Sequence, residues 1–168
     1  MVIRTSNPDI REYRLCAGIM LFNEIGLVWT GRRVDVEDSW QMPQGGIDTG
    51  ESPISAAYRE LYEETGCQSV ELVGQTTDWI LYDLPQALVK KSWGGKFRGQ
   101  AQKWFVFHFK GDDKEFDLAK TEKPEFSEWK WTNIYKLDEF VVDFKRPVYK
   151  LLVSEFRHYS DSLSKDLS

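Results

Sequence analysis

Apolar residues in this chain gather in short runs separated by polar and glycine-containing connections, a pattern that predicts buried strands. Two such runs, 15–22 (LCAGIMLF) and 26–32 (GLVWTGR), are joined by Asn23-Glu24-Ile25-Gly26 and read as a hairpin. Further strands are predicted at 70–76, 79–83, 102–110 (QKWFVFHFK) and 128–133 (EWKWTN), the last alternating polar with aromatic residues. That makes about six strands. Two segments carry a helical period instead. Ser52 as N-cap, Pro53 at the first helical position and Gly66 beyond the end predict a helix over about 53–65. A second helix follows Pro147, where Val148, Leu151, Leu152, Phe156 and Tyr159 recur at helical spacing. Strands interrupted by one helix and finished by another predict helices on both sides of a mixed sheet, an α/β fold of the sandwich type. No repeat, low-complexity stretch or Pro/Gly/Ser linker divides the chain, so 1–168 is read as one domain with a core over about 13–158 and short flexible termini.

Composition narrows the class. A chain of 168 residues buries roughly 70% of its unfolded surface and needs neither disulfide nor metal to fold. With 41% hydrophobic, 14% aromatic and 29% charged residues it is globular rather than fibrous or disordered. The N-terminal residues lack the apolar core of a secretion signal, and no apolar run is long enough to span a bilayer, so no membrane partner is expected. Cys16 and Cys67 are too few for a disulfide scaffold and read as buried small hydrophobes in a reducing, cytoplasmic setting. A net charge of −5 argues against binding nucleic acid by bulk electrostatics alone, although a local basic stripe could still serve.

The informative segment is GGIDTGESPISAAYRELYEETGC, from Gly45 to Cys67. On a helix Glu60, Glu63 and Glu64, spaced i, i+3 and i+4, fall within about a 100° arc. Ile54, Ala57 and Leu61 form the neighbouring apolar stripe, with the small Ala56 among the glutamates. Like charges so close repel, so a cationic partner is required. Arg59, four residues before Glu63, can pair with one carboxylate, which leaves the others to hard divalent cations such as Mg²⁺ or Mn²⁺. Zinc fits poorly: His108 and His158 are the two histidines, and no cysteine clusters with either.

By itself an RExxEE helix reads as a solvated charged face. The flanking residues overturn that, because Gly45, Glu51, Arg59, Glu60, Leu61, Glu63, Glu64 and Gly66 complete the pattern G-x5-E-x7-R-E-U-x-E-E-x-G-U, where U is a bulky aliphatic residue. This resembles the Nudix box, the signature of the Nudix hydrolase family. The fixed letters would recur by chance in roughly one in a million chains of this size. Cys67 departs from the pattern at its last aliphatic position, where a small hydrophobe still packs.

The resemblance implies a Nudix-like α/β/α sandwich and hydrolysis of a nucleoside diphosphate linked to another moiety, with divalent cations held by the box. It implies Glu60, Glu63 and Glu64 as metal ligands, Gly45 as the point of close backbone approach, Arg59 as the orienting cation and Glu51 as a supporting member. It leaves Glu60, Glu64 and a later acid as candidates for general base. Such a layout suits polyphosphate, which a bare carboxylate site would repel unless metal ions stand between.

A second likeness lies in WQMPQGGI from Trp40, Lys103-Trp104-Phe105, Pro124-Glu125-Phe126 with Trp129 and Trp131, and Phe144-Lys145-Arg146 with Val148-Tyr149. Their order resembles the RNA 5′-pyrophosphohydrolase subgroup, also described as dinucleoside polyphosphate hydrolases. By position this implies Glu125 as a distal acid completing the metal site, and Arg33 and Phe144 as a sandwich around an RNA base. It implies Arg14 as a phosphate contact, with Gln44 and Lys103 as further substrate-binding residues. The expected substrate is a triphosphorylated or diphosphorylated RNA 5′ end, with dinucleoside polyphosphates as the rival. A non-catalytic binding module is the rival of another class, and the intact box glutamates argue against it.

The stretch 90–103 carries Lys90, Lys91, Lys96, Arg98 and Lys103 without an acid, with Trp93, Phe97 and glycines between. It reads either as a solvated loop or as a lid that tracks phosphate. No GxGxxG, GxxxxGK[ST] or GxSxG motif is present, and two histidines leave little for a Ser-His-Asp triad.

Overall fold

The computed structural model describes residues 2–166. Two long strands, β2 (Tyr13–Phe22) and β8 (Gly99–Phe109), form its centre and pair in parallel from Tyr13 against Gly99 to Phe22 against His108. Side chains alternate across this pair. Ala17, Ile19, Leu21, Phe105 and Phe107 face one way, beneath helix α1 (Pro53–Thr65). Met20, Phe22, Trp104 and Val106 face the other way, beneath helix α3 (Arg146–Lys165), which contributes Val148, Tyr149, Leu152 and Phe156. The expected α/β/α sandwich around a mixed sheet follows directly from this alternation.

Among the described residues the sheet holds nine strands rather than about six. β8 is shared along its length: β7 (Trp79–Asp83) pairs with its first half and β6 (Val70–Gln75) with its second. β1 (Val2–Thr5) adds to β7, and α3 runs on to Lys165, so regular structure extends beyond the 13–158 core on both sides. The expected hairpin is nearly absent. β3 (Val28–Arg33) meets β2 only at Phe22 against Val28, and its own partners are β4 (Trp40–Gln41) and β9 (Phe126–Thr132). The place beside β2 is taken by β5 (Gln44–Gly46), which pairs Gly46, Gly45 and Gln44 with Cys16, Ala17 and Gly18. β2 thus parts company with β3 along most of its length, and the cleft described below is lined from both sides of that divergence. A short helix, α2 (Gln86–Val89), follows β7. Among the described residues no helix is long and apolar enough to cross a membrane.

Helix α1 has the limits that its caps predict. The Ser52 hydroxyl accepts from the Ser55 N–H at 3.3 Å, and Pro53 opens the helix. Gly66 at φ 78° closes it, with its N–H on the Tyr62 carbonyl at 2.8 Å. Ala57 and Leu61 are buried as expected. Ala56, expected among the glutamates, is buried with them, so the carboxylate face begins at Glu60.

Candidate active site

β5 runs into α1 through a short loop, and this places the backbone of Gln44–Gly46 directly beneath the carboxylate face of the helix. The fit is close. A Cβ on Gly45 would lie 1.9 Å from the Glu60 carboxyl carbon, and one on Gly46 would lie 2.2 Å from Nη2 of Arg14. Gly45→Ala is therefore expected to displace Glu60 and to destabilise the fold by about 1–3 kcal/mol, as overpacking does; urea denaturation checks this, and an unchanged midpoint would contradict it.

Arg59 organises the acids around it. Its Nε and Nη2 donate to the two oxygens of Glu51, each at 2.8 Å, and Nη1 donates to Glu60 at 2.8 Å and to Glu63 at 3.2 Å. Nη2 also donates to the Gly46 carbonyl at 2.8 Å, tying helix to strand. These bonds hold the Glu51 carboxyl down at about 2. Glu60 moves the other way: burial raises its pKa, and the Arg59 hydrogen bond only partly offsets that. Glu64 is raised further, first by burial and then by the like charges of Glu125 and Glu60, although the Gln44 N–H donates to its Oε2 at 3.2 Å. Two glutamates that resist ionisation beside a third acid form a site short of positive charge.

Glu60, Glu64 and Glu125 line one cleft of about 610 Å³ together with Arg14, Arg33, Gln44, Gly45 and Phe144. Most of the expected residues thus converge. Glu63 is exposed and faces a shallower neighbouring opening, where it joins Glu60, Glu64 and Glu125 with Glu122 and Lys123. Lys103 lies apart from them. Alternation along β8 turns Gln100 and Gln102 toward the cleft side and Lys103 away. Its ammonium donates to the Thr77 carbonyl at 3.3 Å and lies over the Trp79 ring, outside the cleft lining. Arg33 is held by a bidentate pair to Asp35, at 2.8 and 2.6 Å, and Phe144 packs near Tyr82 with ring centres 6.1 Å apart.

Lys145 is the residue that sequence reasoning missed. Its ammonium is buried at the cleft floor and donates to Gln41 Oε1 at 3.0 Å and to Gln44 Oε1 at 3.2 Å. Burial, then the Arg33 charge, lowers its pKa to about 8, against the pull of Glu125 and Glu64. Gln44 is further fixed by Gln100 and Gln102, and Gln100 also accepts from the Tyr82 hydroxyl at 2.8 Å. The one available signal was its place in Phe144-Lys145-Arg146.

The donors fit a divalent cation. All are hard carboxylate oxygens, and Gly45 leaves room where any side chain would collide with Glu60. Among the described residues no three His, Cys, Asp or Glu side chains stand where they could hold a metal ion together, and Glu60 and Glu63 are turned to Arg59. The fit rests on donor chemistry and space.

Residues 12–152 match the NUDIX domain, and the chain belongs to that family, whose hydrolases cleave phosphoanhydride bonds with divalent cations, generally Mg²⁺ or Mn²⁺. Among its relatives, the RNA pyrophosphohydrolase of Agrobacterium fabrum is 50% identical over 167 residues, which cover 93% of this chain and 98% of that protein. The RNA pyrophosphohydrolase of Brucella anthropi is 48% identical over 163 residues, covering 90% and 94%. In fold, the chain resembles the dihydroneopterin triphosphate pyrophosphohydrolase of E. coli, with a TM-score of 0.66 and 17% identity over 86% of this chain and 99% of that one. The Ap4A hydrolase of C. elegans aligns with a TM-score of 0.59 and 16% identity over 85% and 98%.

Proposed function

We propose that this chain acts as a single-domain, cytoplasmic hydrolase that removes pyrophosphate, or successive phosphates, from the 5′ end of triphosphorylated or diphosphorylated RNA and leaves a 5′-monophosphate. The observation that carries this reading is one cleft holding Glu60, Glu64 and Glu125 beside Arg14, Arg33, Lys145 and Phe144. Acids for a cation, bases for phosphate and an aromatic ring for a nucleobase are brought within one volume. Relatives of nearly half-identical sequence that carry the name RNA pyrophosphohydrolase support the choice of RNA end.

Glu60, Glu64 and Glu125 would hold Mg²⁺ or Mn²⁺, with Glu63 at the outer edge. When bound, the cation supplies Lewis acidity and a water of lowered pKa for in-line attack at phosphorus. This chain's residues do the rest. A carboxylate of Glu60, Glu64 or Glu125 accepts the proton of the attacking water. Arg59 orients the acids, Arg14 and Lys145 offset phosphate charge, Gln44 fixes Lys145 and Glu64, and Arg33 with Phe144 brackets a base.

The test compares kcat/KM on triphosphorylated RNA and on diadenosine tetraphosphate, with products identified from γ- and β-labelled RNA. Release of labelled pyrophosphate or phosphate at the higher efficiency is expected. Turnover of the dinucleotide about a hundredfold faster, with RNA ends left intact, would overturn the reading.

A further inference from the structure

The connection between β7 and β8 supplies Leu84, Leu88, Ser92 and Trp93 to the cleft lining, and no role above uses them. Trp93 stands out among these. It belongs to none of the hydrophobic core clusters, yet its backbone sits in the left-handed region at φ 48°. That region disfavours a bulky side chain and favours glycine. Gly94 and Gly95 continue at φ 68° and 75°, so consecutive left-handed residues turn the chain where the indole joins the cleft wall. The indole is half-buried, with its ring edge-on to Phe97 at 6.2 Å. The Arg14 guanidinium lies 5.2 Å from its ring centre.

Arg14 locates the indole relative to the chemistry. Its guanidinium lies against Gly46, whose carbonyl is held by Arg59, so it borders the carboxylate site. Among the described residues Arg33, Arg59 and Arg98 are each engaged by a carboxylate, whereas Arg14 enters no ion pair. A polyphosphate at Arg14 puts the nucleoside that carries it next to Trp93.

We propose that Trp93 is a specificity-determining stacking platform for the base of the 5′-terminal nucleotide. This rests on the RNA-end reading above. Stacking on an aromatic ring tolerates any base, so the platform selects for a nucleotide rather than for a sequence.

The test uses the full chain with Mg²⁺ and two triphosphorylated RNAs that differ only in whether the first nucleotide carries a base or is abasic. The wild type should favour the base-bearing RNA by about tenfold in kcat/KM. Trp93→Phe should keep most of that preference and Trp93→Ala should lose it. Trp93→Leu, bulky but without a π face, should also lose it, and covers the case in which the alanine variant does not fold. If Trp93→Ala slows both RNAs equally and keeps the preference, Trp93 merely braces Arg14 and the assignment falls. Wild-type inactivity on every RNA end would overturn the substrate reading itself, and the platform with it.

Discussion

Chelation with EDTA is expected to abolish turnover, and added Mg²⁺ or Mn²⁺ to restore it. The cleft places Glu60, Glu64 and Glu125 together, while Arg33 of its lining is paired with Asp35 and the neighbouring Arg59 with Glu51, Glu60 and Glu63. A polyphosphate approaching those acids meets like charge unless divalent cations intervene. The same cations should raise the thermal midpoint, since a ligand that binds only the folded state stabilises it by about 2.7 kcal/mol at a hundred times its Kd. Undiminished turnover after chelation would defeat the metal reading whatever the substrate.

Glu64→Gln is expected to lower kcat at least about 10²-fold with the fold intact. The amide matches the carboxylate in shape and can still accept the Gln44 N–H, so what changes is charge and basicity. Stability should respond in the opposite direction. The folded pKa of Glu64 is raised above its ordinary 4.5 by burial and by Glu125 and Glu60. A raised folded pKa means the contribution to stability is fully present below the unfolded value and is lost as pH rises through the folded one. Without divalent cations, and measured at about pH 4 and about pH 7, the wild type should therefore be less stable at the higher pH, while the glutamine variant loses less and becomes the more stable of the two there. Urea denaturation at both pH values, beside single-turnover rates with Mg²⁺, checks both halves. Wild-type rates in this variant and in Glu60→Gln would refute the roles given to both.

Helix α1 was legible from sequence because its limits are set locally: a serine hydroxyl, a proline and a left-handed glycine act within one turn of where they sit. Spacing alone put Glu60, Glu63 and Glu64 on one helix face, and the resemblance to the Nudix box supplied their roles and the residues outside the helix, Gly45 and Glu51 among them. Strands β4 and β5 were not, since two or three residues carry no period, and β1 is defined by a β7 partner far along the chain. The hairpin expectation failed because adjacency in sequence favoured β3 as the partner of β2, whereas β8 and β5 win that position through long-range pairing. Lys103 and Lys145 exchanged places in the same way. Strand alternation carried the first out of the cleft, and a cluster of glutamine oxygens made burial of the second tolerable.

The parallel register of β2 and β8 also orders events during synthesis. β2 leaves the ribosome early, but the partner it needs along its whole length ends only at Phe109, after the cap-defined α1 has been made. Until then that helix has only β2 and β5 to rest on, without Phe105 and Phe107 of β8. Folding is expected to be slower than in a helical bundle of equal length, because the pairing at the centre of the sheet joins segments distant along the chain.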